Sequence, residues 1–300
     1  MRQKNIISVL VLLVVIISAI TTLFGVFSDN GTGIYEYESI RGQVVNIYGK
    51  GIYKHMSADV AIQGIAQDFI TLFIGIPLLL ISLFGFRKGS LRSHFILTGI
   101  LGYFFVTYLF YTAMGMYNFL FLCYVALLAM SFFALLTSLL SFNLSTMTKG
   151  FSEKTPNKFI GIFLLINCCI IAFLWLSVII PPLIDGSIYP AALEHYTTLI
   201  VQGLDLGLLL PLGFISGLLI LKKKPLGYLA ATVYIIFLSI LMTALTAKII
   251  GMALNNVNVI PAIFIIPVIN LTAIYCVIIL LKNIDARLLN NTNNPNTHNT

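Results

Sequence analysis

Charge is what this sequence has least of. Aspartate, glutamate, lysine and arginine make up 9% of its 300 residues, against 59% hydrophobic residues. A soluble domain carries roughly 25% charged residues, so there is too little polar surface here to coat a water-soluble globule of this length. Apolar/polar alternation over roughly 10-residue strands, the mark of a membrane barrel, is also missing. In lipid every backbone N–H and C=O must be satisfied internally, which leaves helices as the spanning element. Cysteine is scarce. Cys123, Cys168, Cys169 and Cys276 all lie in apolar runs without C-x-x-C spacing, so they are expected to pack as small side chains and imply no disulfide framework. Three catalytic signatures are absent: H-E-x-x-H, a Gly-rich phosphate loop ending in Lys-Ser/Thr, and Gly-x-Ser-x-Gly. Their absence lowers the expectation of a zinc protease, an ATPase or an α/β-hydrolase. No metal and no cofactor is expected.

What is present is a series of long apolar runs. A membrane helix needs about 20 mostly apolar residues, and eight segments qualify: Ile6–Phe27, Ala66–Phe86, Phe95–Met114, Phe119–Phe142, Phe159–Leu183, Leu199–Leu221, Leu226–Leu254 and Ile260–Leu281. The first is longer than a secretory h-region and no small-x-small site follows it, so it is expected to stay as an anchor. The net charge of +7 sits in short clusters between apolar runs, which is membrane patterning rather than a nucleic-acid surface. Arg2, Lys4, Arg87, Lys88, Arg92, Lys149, Lys154, Lys158, Lys222, Lys223, Lys224, Lys282 and Arg287 fall on one side, with Arg41, Lys50, Lys54 and Lys248 on the other. The positive-inside rule then predicts cytoplasmic N- and C-termini. Between the first two spans, residues 28–65 form a long outer loop. Its Ile34–Tyr48 stretch is rich in Ile, Tyr and Val and reads as a short β-hairpin or a segment lying across the helix ends. Ser57 is placed to cap the next helix. The Asn/Thr-rich tail, 290–300, is expected to be disordered.

The chain also matches itself weakly. From Tyr53 and from Tyr189 the order Tyr, His, Gln-Gly, Asp, Pro-Leu, Ile-Ser, basic cluster, Leu recurs, pairing Gln63 with Gln202, Asp68 with Asp205, Pro77 with Pro211, Ser82 with Ser216 and Leu91 with Leu226. The expected fold is therefore an all-α membrane protein of about eight helices in two parallel four-helix repeats, 1–150 and 151–289. Such repeats are related by an axis along the membrane normal.

Ionisable residues within membrane spans are functional candidates by default. Asp68 lies about 28 Å of helix from Arg87, and Asp205 about 26 Å from Lys222, at 1.5 Å per residue. Lys248 lies about 33 Å from Leu226 on the same measure. All three fall near the outer edge of a core about 30 Å thick, the two carboxylates at matching depths. In one reading Asp68 and Asp205 face each other with His55, His195 and Glu194 above them, forming a ligand site that also takes in Gln63, Gln202 and Lys248. In the other, each acid is an interfacial ion-pair partner, Asp205 of Lys248 and Asp68 of Arg41 or Lys54. Tyr103, Thr107 and Tyr111 recur at i, i+4 and i+8, where three hydroxyls on one helix face either line a cavity or bond across helices. Asn167 and Asn270 carry the same two readings.

The stretch YGKGIYKHMSADVAIQGIAQDFITLFIGIPLLL, continuing through RKGSLR, GYFFVTYLFY and YNFLFLCYVALLAMSFFALL, resembles a family of uncharacterised bacterial polytopic membrane proteins. LDLGLLLPLGFISGLLILKKKPLGY resembles the same family. The resemblance covers most of residues 40–250. It implies a multi-pass protein of the bacterial inner membrane and supplies no catalytic residues. Three functions are weighed: a small-solute or ion transporter or channel with an outward-facing site, an intramembrane enzyme acting on lipid at the outer leaflet, and a sensor or accessory subunit. An enzyme is the less expected outcome. The lipid bilayer is the expected partner, and any energy-coupling or signalling partner would be a separate chain.

Overall fold

The computed structural model describes residues 2–284; the expected disordered tail and the side chains of Asp285 and Arg287 lie outside them. Among the described residues, eight helices are long and apolar enough to cross a membrane: Gln3–Phe27, Ala58–Arg87, Leu91–Ala113, Phe121–Leu140, Asn157–Asp185, Ile200–Leu221, Pro225–Leu254 and Ala262–Lys282. All eight expected spans are found. The second begins earlier than hydropathy alone indicated, because its first turns carry Asp59 and Gln63 and pack on protein.

The elements in chain order are α1 (Arg2–Phe27), β1 (Tyr35–Glu38), β2 (Val44–Ile47), α2 (Ala58–Ile70), α3 (Ile76–Arg87), α4 (Leu91–Ala113), α5 (Phe121–Leu140), α6 (Asn157–Ile184), α7 (Ile200–Leu204), α8 (Leu210–Leu221), α9 (Pro225–Leu254) and α10 (Ala262–Lys282). Helices α2 and α3 form one span joined by a π-helical turn, Thr71–Gly75, and α7 and α8 form another joined by Asp205–Leu209. Both breaks have the same cause. Pro77 and Pro211 sit at the start of the following helix, and proline lacks the N–H that would continue the ladder. The chain widens by one residue just before it, the Ile76 N–H reaching the Thr71 carbonyl and the Leu210 N–H the Asp205 carbonyl. The two spans also end alike. Gly89 N–H donates to Phe86 and Ser90 N–H to Gly85; Lys223 N–H donates to Ile220 and Lys224 N–H to Leu219. Gly89 and Lys223 both take a left-handed φ there, +85° and +51°.

Helices α4 and α9 pack on each other at the centre, α4 carrying α3 and α5 and α9 carrying α8 and α10. Most of the largest fully buried side chains lie on α4, among them Phe95, Tyr103, Phe104 and Tyr108. Helix α1 packs on α2, α3 and α5, and α6 packs on α8. Gly161 and Gly217 bring α6 and α8 into backbone contact: a Cβ on Gly161 would stand 2.9 Å from the Gly217 carbonyl oxygen, and one on Gly217 3.0 Å from that of Gly161. Small residues serve this way where lipid tails, as apolar as leucine, give helices no hydrophobic drive to associate. The outward faces stay apolar. Val9, Ile16, Phe84, Phe173 and Leu271 are all more than half exposed, a surface suited to acyl chains rather than water.

The alternation of spans gathers Arg87, Lys88, Lys154, Lys158, Lys222–Lys224 and Lys282 at one end, called here the basic end. Arg92 fastens that end by donating to the Ile284 carbonyl at 2.9 Å. The opposite end carries an antiparallel hairpin in which Tyr35 pairs with Ile47 and Glu38 with Val44. The hairpin lies within the Ile34–Tyr48 stretch. It is braced on the loop between α6 and α7, where Arg41 donates to the carbonyls of Glu194 (2.7 Å) and Tyr196 (2.6 Å) and Gln43 to that of Ala191 (3.0 Å). Ser57 occupies the N-cap position of α2 but makes no side-chain capping bond; its N–H and hydroxyl meet the Tyr196 hydroxyl instead.

Candidate functional site

Asp68 is one of the most buried charged residues of the chain, at 1% exposure. It accepts hydrogen bonds from the Tyr53 hydroxyl (2.5 Å) and the Tyr111 hydroxyl (2.9 Å). Tyr53 comes from the turn that leads out of the hairpin, and burial, then the Asp68 charge, pushes its phenol well above its ordinary range. It therefore stays a donor. On the far side Asp68 presses against Gly25 of α1. The hydroxyl stripe of α4 faces α2: the Gln67 amide donates to Tyr103 (2.8 Å) and Thr107 (3.1 Å), and Thr71 and Tyr103 share a contact of 2.7 Å. Asp68 is thus the anchor of a polar seam between α1, α2 and α4. The expected ion pairs to Arg41 or Lys54 are replaced by tyrosine donors, because Arg41 is engaged by the α6–α7 loop and Lys54 is exposed.

Asp205 is placed differently. It opens its π-helical turn, whereas Asp68 lies three residues before the other. The register that matches the two turns puts Asp205 opposite Thr71 and Asp68 opposite Gln202. The two acids are therefore neither equivalent in position nor at matching depth. Asp205 accepts from the indole N–H of Trp175 on α6 at 2.8 Å. It does not pair with Lys248; among the described residues the one ion pair within 4.0 Å is Lys50–Asp29, at 3.1 Å.

Asp205 and Lys248 instead line one cavity of about 300 Å³ between the two halves of the chain. Its walls come from α2, α4, α5, α6, α7, α8, α9 and α10, and its rim from Gly115, Asn118, Met252 and Ala262 at the hairpin end. It descends to Asn167 and Tyr234, each about 15 Å of helix from the basic end, near mid-membrane. No lining residue lies deeper, so the cavity is closed towards the basic end. Most of the wall is aliphatic, with Leu238, Leu241 and Leu245 on α9 facing Ile171 and Leu174 on α6.

The polar lining contains groups with no protein partner. Asn167 is 2% exposed, and neither its amide oxygen nor its amide nitrogen is hydrogen-bonded. Gln67 Oε1 is buried and unpartnered as well. Buried polar groups are paired in the great majority of cases, and these two amides belong to the cavity wall with their unpartnered atoms turned away from the open space. Asn270, by contrast, is held by Thr243 and Thr246 as helix–helix glue. A shallow groove of about 590 Å³ along α6, at Phe159, Ile162 and Ile166, offers nearly all-carbon walls and faces the lipid side.

Of the site residues expected from sequence, Asp205, Lys248, Gln63, Thr107 and Tyr111 line the cavity. Asp68 and Tyr103 stand behind its wall, and Gln202 is not among the lining residues. His55, His195 and Glu194 belong to the hairpin brace: His55 is exposed, and the His195 ring contacts the His55 carbonyl at 3.1 Å. Burial pushes the Glu194 carboxyl up from its ordinary range. No group of three or more His, Cys, Asp or Glu placed to hold a metal occurs among the described residues. Sequence reasoning passed over Tyr53, Gln67, Trp175 and Tyr234. Trp175 had a signal, being the single tryptophan of the chain.

Compared with protein-family models, curated proteins and solved structures, the chain matches none.

Proposed function

We propose that this chain binds a small polar solute in the hairpin-end cavity and carries it across the bacterial inner membrane, the cavity representing one of two access states. The observation that carries the reading is that Asp205 and Lys248, which form no ion pair with each other, line one space that reaches mid-membrane and stops there. Unwound or broken helices placed at corresponding points of two halves are the usual setting for a transporter site, and the turns before Pro77 and Pro211 fit that pattern. We read residues 1–150 and 151–289 as a duplicated pair with both termini cytoplasmic. The recurring breaks and helix ends support the duplication, and the lysine-rich end supports the orientation.

The alternative of a lipid-directed enzyme has less support, since the histidines that would serve it are engaged at the hairpin or exposed. A sensor reading is favoured by one feature, the hairpin braced on the α6–α7 loop at the same end of the molecule as the cavity rim. The test is a thermal-shift screen of small charged and zwitterionic solutes on the purified chain, run beside Asn167→Phe, which fills the cavity. At least one solute class is expected to stabilise the wild type and not the variant, and its uptake into proteoliposomes separates transport from sensing. Stabilisation by no solute, or equal stabilisation of both proteins, overturns the reading.

A further inference from the structure

Building on that solute-binding reading, we propose that the cavity selects a small zwitterion, of the class of free α-amino acids with apolar side chains, holding its ammonium at Asp205 and its carboxylate at Lys248. Opposite charges that share a low-dielectric cavity are drawn together strongly, yet these two form no ion pair within 4.0 Å. Asp205 is held back by the Trp175 indole, and Lys248 projects from a different helix and has no ion-pair partner among the described residues. The gap between them is the complement of a molecule that carries both charges. A simple anion would neutralise Lys248 and leave its own charge beside Asp205; a simple cation would do the reverse. Uncompensated charge in such a place is expensive.

Asn167 lies in the wall at the deep end, and a rotation of its unpartnered amide into the space would offer the ligand both a donor and an acceptor. Asp68 is held by two tyrosines and does not line the cavity. The aliphatic wall on α9 suits an apolar side chain. The volume, about 300 Å³, is at the small end of ligand pockets, roughly 300–1,000 Å³, and too small for a two-chain lipid. An ethanolamine headgroup carries the same pair of charges, so the experiment must separate the two sources.

The full chain in phosphatidylglycerol nanodiscs is titrated with radiolabelled L-leucine. The competitors are 4-methylpentanoate, which lacks the ammonium, and 3-methylbutylamine, which lacks the carboxylate. Each competitor is expected to bind at least about tenfold more weakly than leucine, the loss of one charge-assisted hydrogen bond. Asp205→Asn should weaken leucine by a similar factor and leave 4-methylpentanoate no weaker; Lys248→Gln should weaken leucine and leave 3-methylbutylamine no weaker. The competitor comparison stands even if a variant fails to fold. A one-charge analogue that binds as tightly as leucine overturns the proposal, as does the failure of leucine, methionine and phenylalanine all to bind. Displacement of leucine by phosphatidylethanolamine in the disc assigns the site to a headgroup and overturns the amino-acid class. If the solute screen returns only one-charge ligands, this inference falls while solute binding stands; if it returns none, both fall.

Discussion

Replacing Gly25 with alanine tests the buried seam with a single methyl group. A Cβ at this position would lie 1.6 Å from Asp68 Oδ2 and 2.5 Å from its Cγ, so the carboxylate has to leave. It cannot do so freely, because Tyr53 and Tyr111 hold it at 2.5 and 2.9 Å. Hydrogen bonds to a charged group contribute about 1.5–3 kcal/mol each, so losing both removes roughly 3–6 kcal/mol. Alanine offsets up to about 1 kcal/mol of this through its helix propensity. The net expectation is a destabilisation of about 2–5 kcal/mol, or a melting temperature lower by roughly 4–20 °C at 2–4 °C per kcal/mol. Thermal unfolding of the purified protein in nanodiscs measures it. The control is Gly25→Ala in an Asp68→Ala background. There the remaining contact is with Asp68 Cβ, at 3.0 Å, and the loss should shrink below about 1 kcal/mol. A melting temperature that rises with Gly25→Ala, or an equal loss in both backgrounds, would refute the reasoning.

Arg41→Ala removes the guanidinium that holds the Glu194 and Tyr196 carbonyls; amide exchange in residues 190–198 is expected to quicken at least about tenfold, while the helices, whose contacts are untouched, keep their protection. Glu194 gives a pH dependence. Burial raises its folded-state pKa, so the folded chain holds this proton more tightly than the unfolded chain does. Its stabilising contribution is complete below the ordinary carboxylate range and is lost as pH rises through the raised value. The melting temperature of the wild type should therefore fall relative to Glu194→Gln as pH goes from about 4 to about 7, and a constant difference across that range would contradict the assignment.

The eight spans were legible because length and apolar composition are local properties, and lipid leaves a run of about 20 apolar residues one way to satisfy its backbone. The lysine clusters, the hairpin segment and the helix-breaking prolines were legible for the same reason. The geometry of the site was not. The sequence matched Asp68 with Asp205 because each follows a glutamine, but the turns before Pro77 and Pro211 set a different register, one that places Asp205 on the cavity and turns Asp68 onto Gly25.

Asn167 shows the limit most clearly. As a residue it reads equally as helix glue or as lining, and Asn270, with the same chemistry, is glue. Only the packing of α6 against α8, together with the space it leaves beside α9, strips Asn167 of partners. Composition and spacing determined that this chain lives in a bilayer and which helices cross it. Which polar groups meet, and which are left without a partner, was decided by the tertiary arrangement, because hydrogen-bond satisfaction depends on neighbours supplied by distant segments of the chain.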